Sequence, residues 1–312
     1  MKAFLIVFLS LIFLFFLTLS ICFLMAYYAP KRKPSQRDEF SLPKGKEYEA
    51  FRELLTGWMR EVRALPSEEF SVKSFDGLTL RARYYEYSPD APIELMFPGY
   101  RGDAERDLCG AVQRCFAVGH NAFLVDQRSA GRSDGSVITF GIKESRDVDT
   151  WLELLSEKFP ERKIILAGVS MGAATVLLAA EKPLPESVIG LLADCGYSSA
   201  PDIIKKVIRD LKLPDKLLYP LVRLSGIIFG GFDVGKAVPK ESAKSITLPV
   251  IVAHGESDAF VPSYMADEIF ENIKTKKLLV KIKGAGHGLA YPVEPENYVK
   301  QLSEFWQEVN KT

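Results

Sequence analysis

The sequence predicts an α/β fold, a mostly parallel central sheet with helices on both faces, held behind an apolar N-terminal segment. Three observations carry this. Apolar runs near 92–97, 121–125, 163–168, 188–193, 248–254 and 277–282 alternate with helical stretches, the strand-helix-strand rhythm of a sheet buried on both faces. Strand-like runs at 69–74 and 79–87 flank the turn Asp76-Gly77, which reads as an antiparallel hairpin. The 312 residues are 47% hydrophobic and 26% charged, enough chain to bury a large core without disulfide or metal staples.

In chain order, the first element is residues 1–28. From Ala3 to Ala26 no charge interrupts the apolar run. As a helix it would reach roughly 36 Å, enough to cross a hydrocarbon core of about 30 Å with some tilt. A cleaved secretory signal has a shorter apolar region of about 7 to 15 residues and a small-residue cleavage site. Here Phe23-Leu24-Met25-Ala26-Tyr27-Tyr28 offers no such site, so the segment reads as a transmembrane anchor, with Tyr27 and Tyr28 at the interface. Lys31, Arg32, Lys33 and Arg37 follow the span and only Lys2 precedes it. The positive-inside tendency then places residues 30–312 in the cytoplasm, an outward-facing domain being the alternative.

Residues 29–67 read as a juxtamembrane linker and an amphipathic helix. Tyr48, Phe51, Leu55, Trp58, Met59 and Val62 recur at three- and four-residue steps, the apolar stripe of a helix packed on the domain that follows, the lipid surface being the alternative. That domain is residues 68–312.

Composition excludes several classes. Forty basic and forty acidic side chains leave no basic excess for nucleic acid. Cys22, Cys109, Cys115 and Cys195 form no C-x-x-C pair, and His120, His254 and His287 show no ligand spacing, so neither a metal nor another cofactor is expected. An odd three cysteines after the span lean toward a reducing compartment.

The chemistry centres on Gly168-Val169-Ser170-Met171-Gly172. It follows the apolar strand Lys163-Ile164-Ile165-Leu166-Ala167 and opens a helix-favouring run. This is G-x-S-x-G in the strand-turn-helix setting that a nucleophile elbow needs. The strained turn projects Ser170 outward, and side chains at the two flanking glycines would clash. A serine hydroxyl needs a base, and the base needs an orienting acid. Asp258 lies in the loop after the strand at 248–254, with Glu256 as the fallback acid, and His287 lies in the Gly-rich loop after the last strand. The order Ser, acid, His is that of elbow hydrolases. His254, at a strand end before the acid, reads as structural, and His120 as structural or exposed. Oxyanion donors would be the backbone N–H groups of Met171, at the helix N-terminus, and of Tyr100, in the loop Pro98-Gly99-Tyr100-Arg101.

Together these residues resemble the α/β hydrolases of the serine esterase and lipase type, similar to bacterial membrane-anchored hydrolases related to the α/β-hydrolase-domain-containing proteins and to prolyl-oligopeptidase-like catalytic domains. The resemblance covers about residues 68–310. Besides the triad it rests on Asp126-Gln127-Arg128-Ser129-Ala130-Gly131-Arg132-Ser133-Asp134-Gly135, on Gly141 with Glu144, Asp147 and Trp151, and on Ala193-Asp194-Cys195-Gly196-Tyr197. It implies that these are supports of the site rather than chemical groups. One departure stands out: the family's oxyanion loop reads His-Gly-aromatic, and Pro98 occupies the His position, so different hydrogen bonds must brace the loop.

Between about 197 and 246 lie apolar helical stretches, including Ile203, Ile204, Val207, Leu217, Leu221 and Ile228. They predict a small helical cap over Ser170 that would favour an apolar acyl chain. Gly230 to Lys236 matches G-x-x-x-x-G-K, but Ala237 replaces the metal-binding hydroxyl and Pro239 forbids the helix. The expected activity is cleavage of a small-molecule carboxylic ester through an acyl-enzyme without a cofactor. Acyl transfer or peptide cleavage on the same triad, and a catalytically silent binding protein, are the alternatives.

Overall fold

The computed structural model describes residues 1–30, 40, 42–43, 45–309 and 311. The charged linker residues Lys31, Arg32, Lys33, Arg37, Asp38 and Glu39 lie outside the described residues. Among the described residues, eight strands form one sheet: β1 (Glu68–Lys73), β2 (Thr79–Tyr85), β3 (Ile93–Phe97), β4 (Asn121–Asp126), β5 (Ile164–Val169), β6 (Val188–Asp194), β7 (Val250–Gly255) and β8 (Lys277–Ile282). Their order is β1-β2-β4-β3-β5-β6-β7-β8. The β1–β2 and β2–β4 pairs are antiparallel, and every other pair is parallel.

The helices are α1 (Lys2–Ala26), α2 (Lys46–Glu49), α3 (Arg52–Ala64), α4 (Ala104–Ala117), α5 (Glu144–Lys158), α6 (Met171–Ala179), α7 (Ala200–Asp210), α8 (Asp215–Ser225), α9 (Pro239–Ser242), α10 (Tyr264–Asn272), α11 (Ala290–Val293) and α12 (Pro295–Val309). A π-helical turn, Gly226–Gly230, extends α8. Each sheet face carries its own core. One holds Leu95, Phe97, Phe123, Trp151 and Val176, the other Met96, Leu124, Ile165, Ile251 and Trp306. This two-sided burial is why the central strands read as continuous apolar runs. Glu94 is the exception in β3: it is buried, held by Arg114 at 2.6 Å and His120 at 2.8 Å. His120 is thus a structural partner.

The amphipathic stripe packs on the domain as its spacing predicts, in two pieces. The chain turns at Ala50 and Phe51, separating α2 from α3. Leu55, Met59 and Val62 are buried, and Trp58 stacks on Tyr291 at 5.4 Å. α1 is exposed from Lys2 through Leu17 and is long and apolar enough to cross a membrane. Its C-terminal end is docked: the Tyr27 hydroxyl donates to the Val222 carbonyl at 3.1 Å, and Tyr28 bridges Val137.

Candidate active site

The sheet register brings the predicted loops together. β3 pairs with β5, and Phe97 lies opposite Gly168, so the loop after β3 and the turn after β5 leave the sheet side by side. β6 and β7 follow in parallel, which carries the loops after β7 and β8 toward the same end. That carboxyl end, at the point where strand order reverses, is where open α/β sheets bind ligands.

Ser170 occupies the turn between β5 and α6 with φ +57° and ψ −115°, a strained conformation for a side-chain-bearing residue. The flanking glycines are required by space. A Cβ on Gly168 would sit 2.2 Å from the Gly172 backbone, and one on Gly172 would sit 1.9 Å from the Phe97 carbonyl oxygen.

His287 Nε2 lies 2.9 Å from Ser170 Oγ, and Nδ1 lies 2.6 Å from Asp258 Oδ2. Asp258 also accepts the Phe260 and Val261 amides on Oδ1 at 2.9 and 2.8 Å. Burial pushes the Asp258 carboxyl up, but hydrogen bonds from His254 and His287, the attraction of the His287 imidazole when protonated, and the Val261 amide outweigh it. They hold the carboxyl well below the usual carboxylate range. An ionised Asp258 can only accept, so Nδ1 of His287 carries the proton and Nε2 is free to accept from Ser170.

His254 is fully buried beneath this chain. Its Nε2 donates to the Val261 carbonyl at 2.8 Å and lies 3.2 Å from Asp258 Oδ2, so it fastens the acid loop and does not reach the serine. Glu256 is exposed and takes no part.

The amides of Tyr100 and Met171 donate to no protein group among the described residues. The loop that carries Tyr100 is braced by two residues that the sequence reasoning did not single out for that task. The Gln127 side-chain amide donates to the Pro98 carbonyl at 2.6 Å, and Asp107 accepts the Gly99 amide at 3.0 Å. These are the bonds that serve in place of a histidine at position 98. Gln127 sits inside the quoted motif, so it was visible as a support. Asp107, on α4, had no sequence signal.

The remaining motif residues tie the surrounding loops. Arg128 joins Asp147 at 2.6 Å and Asp76 at 2.9 Å. Glu144 accepts the amides of Thr139 and Gly141 at 2.8 and 2.9 Å. The Tyr298 hydroxyl donates to Asp194 at 2.8 Å.

A cleft of about 330 Å³ opens on Ser170 and His287, walled by Tyr48, Leu55, Trp58, Phe260, Leu289 and Tyr291. The walls thus come from α2, α3, α4, α11 and the loops after β3, β7 and β8, and no residue of 197–246 lines it. That segment stands beside the site instead, packing Ala200, Ile203 and Val222 in one cluster with Met171 and Val261. Tyr48, noticed in sequence only as part of a stripe, donates its hydroxyl to the His287 carbonyl at 2.8 Å. Its contact partner is remote in the chain, so spacing could not reveal it.

This topology and site define the α/β-hydrolase fold, and the chain has it. No family model matches the chain. The Pyrococcus furiosus esterase Pf2001 superposes with a TM-score of 0.62 at 21% identity, covering 80% of this chain and 93% of that one. Uncharacterized protein YqkD of Bacillus subtilis (strain 168) is 26% identical over 195 residues, 62% of this chain and 64% of YqkD. Thiohydrolase apmlB of Arthrinium phaeospermum is 34% identical over 119 residues, 36% of this chain and 38% of the enzyme. The chain therefore spans less than two thirds of the length of these two curated relatives.

Proposed function

We propose that this chain is a membrane-anchored serine hydrolase that cleaves carboxylic esters through an acyl-enzyme. The observation that carries the reading is the unbroken relay from Ser170 through His287 to Asp258. Ser170 Oγ attacks the ester carbonyl as its proton passes to His287 Nε2, and Asp258 steadies the imidazolium that forms. The oxyanion is received by the open amides of Tyr100 and Met171. His287 returns the proton to the departing alkoxide, and water then releases the acid by the reverse sequence. A cleft of about 330 Å³, at the low end of ligand-pocket sizes, suits a small or medium acyl group. A thioester carbonyl is the second reading, favoured by the partial match to a thiohydrolase.

In this reading residues 1–28 are a single-pass anchor, 29–67 join it to the domain, and 68–312 are the hydrolase with a small flanking cap at about 197–246. The domain lies in the cytoplasm, a placement supported by three cysteines, Cys109, Cys115 and Cys195, that are free and buried. Rapid mixing with p-nitrophenyl esters of rising chain length tests the chemistry. A burst of p-nitrophenol stoichiometric with protein is expected, and the absence of turnover with every ester and thioester would overturn it. Protease added to intact cells tests the placement, since degradation of the domain without lysis would refute it.

A further inference from the structure

Reading α1 as a span has a geometric consequence for its neighbour. Lys2–Leu17, sixteen residues, stand free of the domain, while the following turns are docked. Leu19 is buried, Phe23 meets Phe229 edge to face at 5.8 Å, and the Tyr27 ring lies 3.2 Å from where a Cβ on Gly226 would be. Sixteen helical residues reach about 24 Å, roughly 6 Å short of a hydrocarbon core of about 30 Å. Counted from Ala3, the first residue of the uncharged run, the span closes at Cys22, so the docked residues Thr18–Cys22 lie in the core and Phe23 stands at its edge. Whatever packs against Phe23 is drawn to that depth.

The packed element is the π-helical turn Gly226–Gly230, and its surface fits that depth. Ile227, Ile228 and Phe229 are 44%, 46% and 43% exposed, unusual for three consecutive large apolar residues on a soluble face. No charged residue occurs between Arg223 and Asp233, and those two neutralise each other at 2.7 Å. Behind the tip, Lys143 Nζ donates to the Gly230 carbonyl at 3.3 Å, a cation at the height expected of a lipid headgroup.

We propose that the Gly226–Gly230 turn is a second membrane contact, dipping Ile227, Ile228 and Phe229 among the acyl chains of the leaflet that α1 leaves. The inference rests on the anchor reading above. Its occupant is the phospholipid bilayer, argued from the continuity of the tip with α1. The consequence is orientation. Tyr100 and Arg101 of the oxyanion loop donate to the carbonyls of Ala26, Met25 and Tyr28 at 2.7, 2.9 and 2.7 Å. With the helix end and the tip both held by lipid, the domain cannot swivel about a single tether, so the cleft meets the bilayer at a fixed attitude.

The test uses the full chain in phosphatidylcholine vesicles with bimane attached at Leu11→Cys, Ile228→Cys or Glu304→Cys, doxyl-labelled phosphatidylcholine as quencher, and labelled wild type as blank. The expected result is loss of most fluorescence at Leu11→Cys and Ile228→Cys and none at Glu304→Cys. Quenching at Leu11→Cys with Ile228→Cys as bright as Glu304→Cys would overturn the second contact and leave the anchor standing. Both positions staying bright would overturn the anchor reading and this inference with it.

Discussion

Gly172→Ala isolates the contact between the elbow and the oxyanion loop. Ser170, His287 and Asp258 are all retained. The added methyl would lie 1.9 Å from the Phe97 carbonyl oxygen, 2.6 Å from its carbon and 2.8 Å from the Pro98 oxygen. All three atoms are backbone, so no side chain can swing aside. Restoring an ordinary contact moves the end of β3 away from α6 by about 1.5 Å, and a displacement of about 1 Å at a reacting centre already costs on the order of a hundredfold in rate. The same overpacking destabilises by about 1–3 kcal/mol. The displaced chain leads directly into Tyr100, so the loss should fall on kcat more than on KM, because an oxyanion donor acts in the transition state. The assay is steady-state turnover of a short p-nitrophenyl ester by the full chain in detergent micelles, with a thermal melt in parallel. A folded variant within a few-fold of wild-type kcat/KM would refute the reasoning.

Tyr48→Phe removes the hydroxyl that braces the His287 carbonyl. A single neutral hydrogen bond is worth about 0.5–1.5 kcal/mol of stability, so Tm should fall by roughly 1–6 °C and the loosened His287 loop should lower kcat several-fold; an unchanged kcat would show that the loop needs no brace. His254→Ala strips Asp258 and the Val261 carbonyl of a buried partner. It should cost about 1–3 kcal/mol in a urea melt while reducing turnover far less than His287→Ala; the reverse ranking would mean that the base is misassigned. Glu94 supplies a pH prediction. Burial raises its carboxyl, but Arg114 and His120 outweigh that and bring it down to about 2 from an ordinary 4.5. The unfolded chain binds more protons between these values, so this stability is complete above about 4.5 and is lost as pH falls toward 2. The urea midpoint should lose part of its acid slope in Glu94→Gln, and an identical slope would contradict the assignment.

The strands were legible because burial on both faces writes itself as runs such as Ile164-Ile165-Leu166, and the elbow because its glycines are dictated by local contact. Asp258 and His287 were legible through their position after the last two strands. What escaped the sequence depends on distant pairings. Asp107 reaches Gly99 from the next helix, and Tyr48 reaches His287 across 239 positions. The apolar segment between β6 and β7 was visible as helices, but hydrophobicity alone could not say which face they cover. Part of the cleft wall comes instead from α2 and α3, where the stripe of Leu55 and Trp58 reads in sequence only as packing. The turn at Ala50 and Phe51 that frees Tyr48 carries no glycine or proline to mark it.

The central claim is that Ser170 is a nucleophile activated by His287. The most direct measurement is covalent: incubate the full chain with a fluorophosphonate, digest it, and locate the adduct by mass spectrometry. The account predicts one stoichiometric adduct on the peptide holding Ser170. The adduct should be absent in Ser170→Ala and should form at least about a thousandfold more slowly in His287→Ala. An adduct elsewhere, or labelling undiminished in Ser170→Ala, would contradict it.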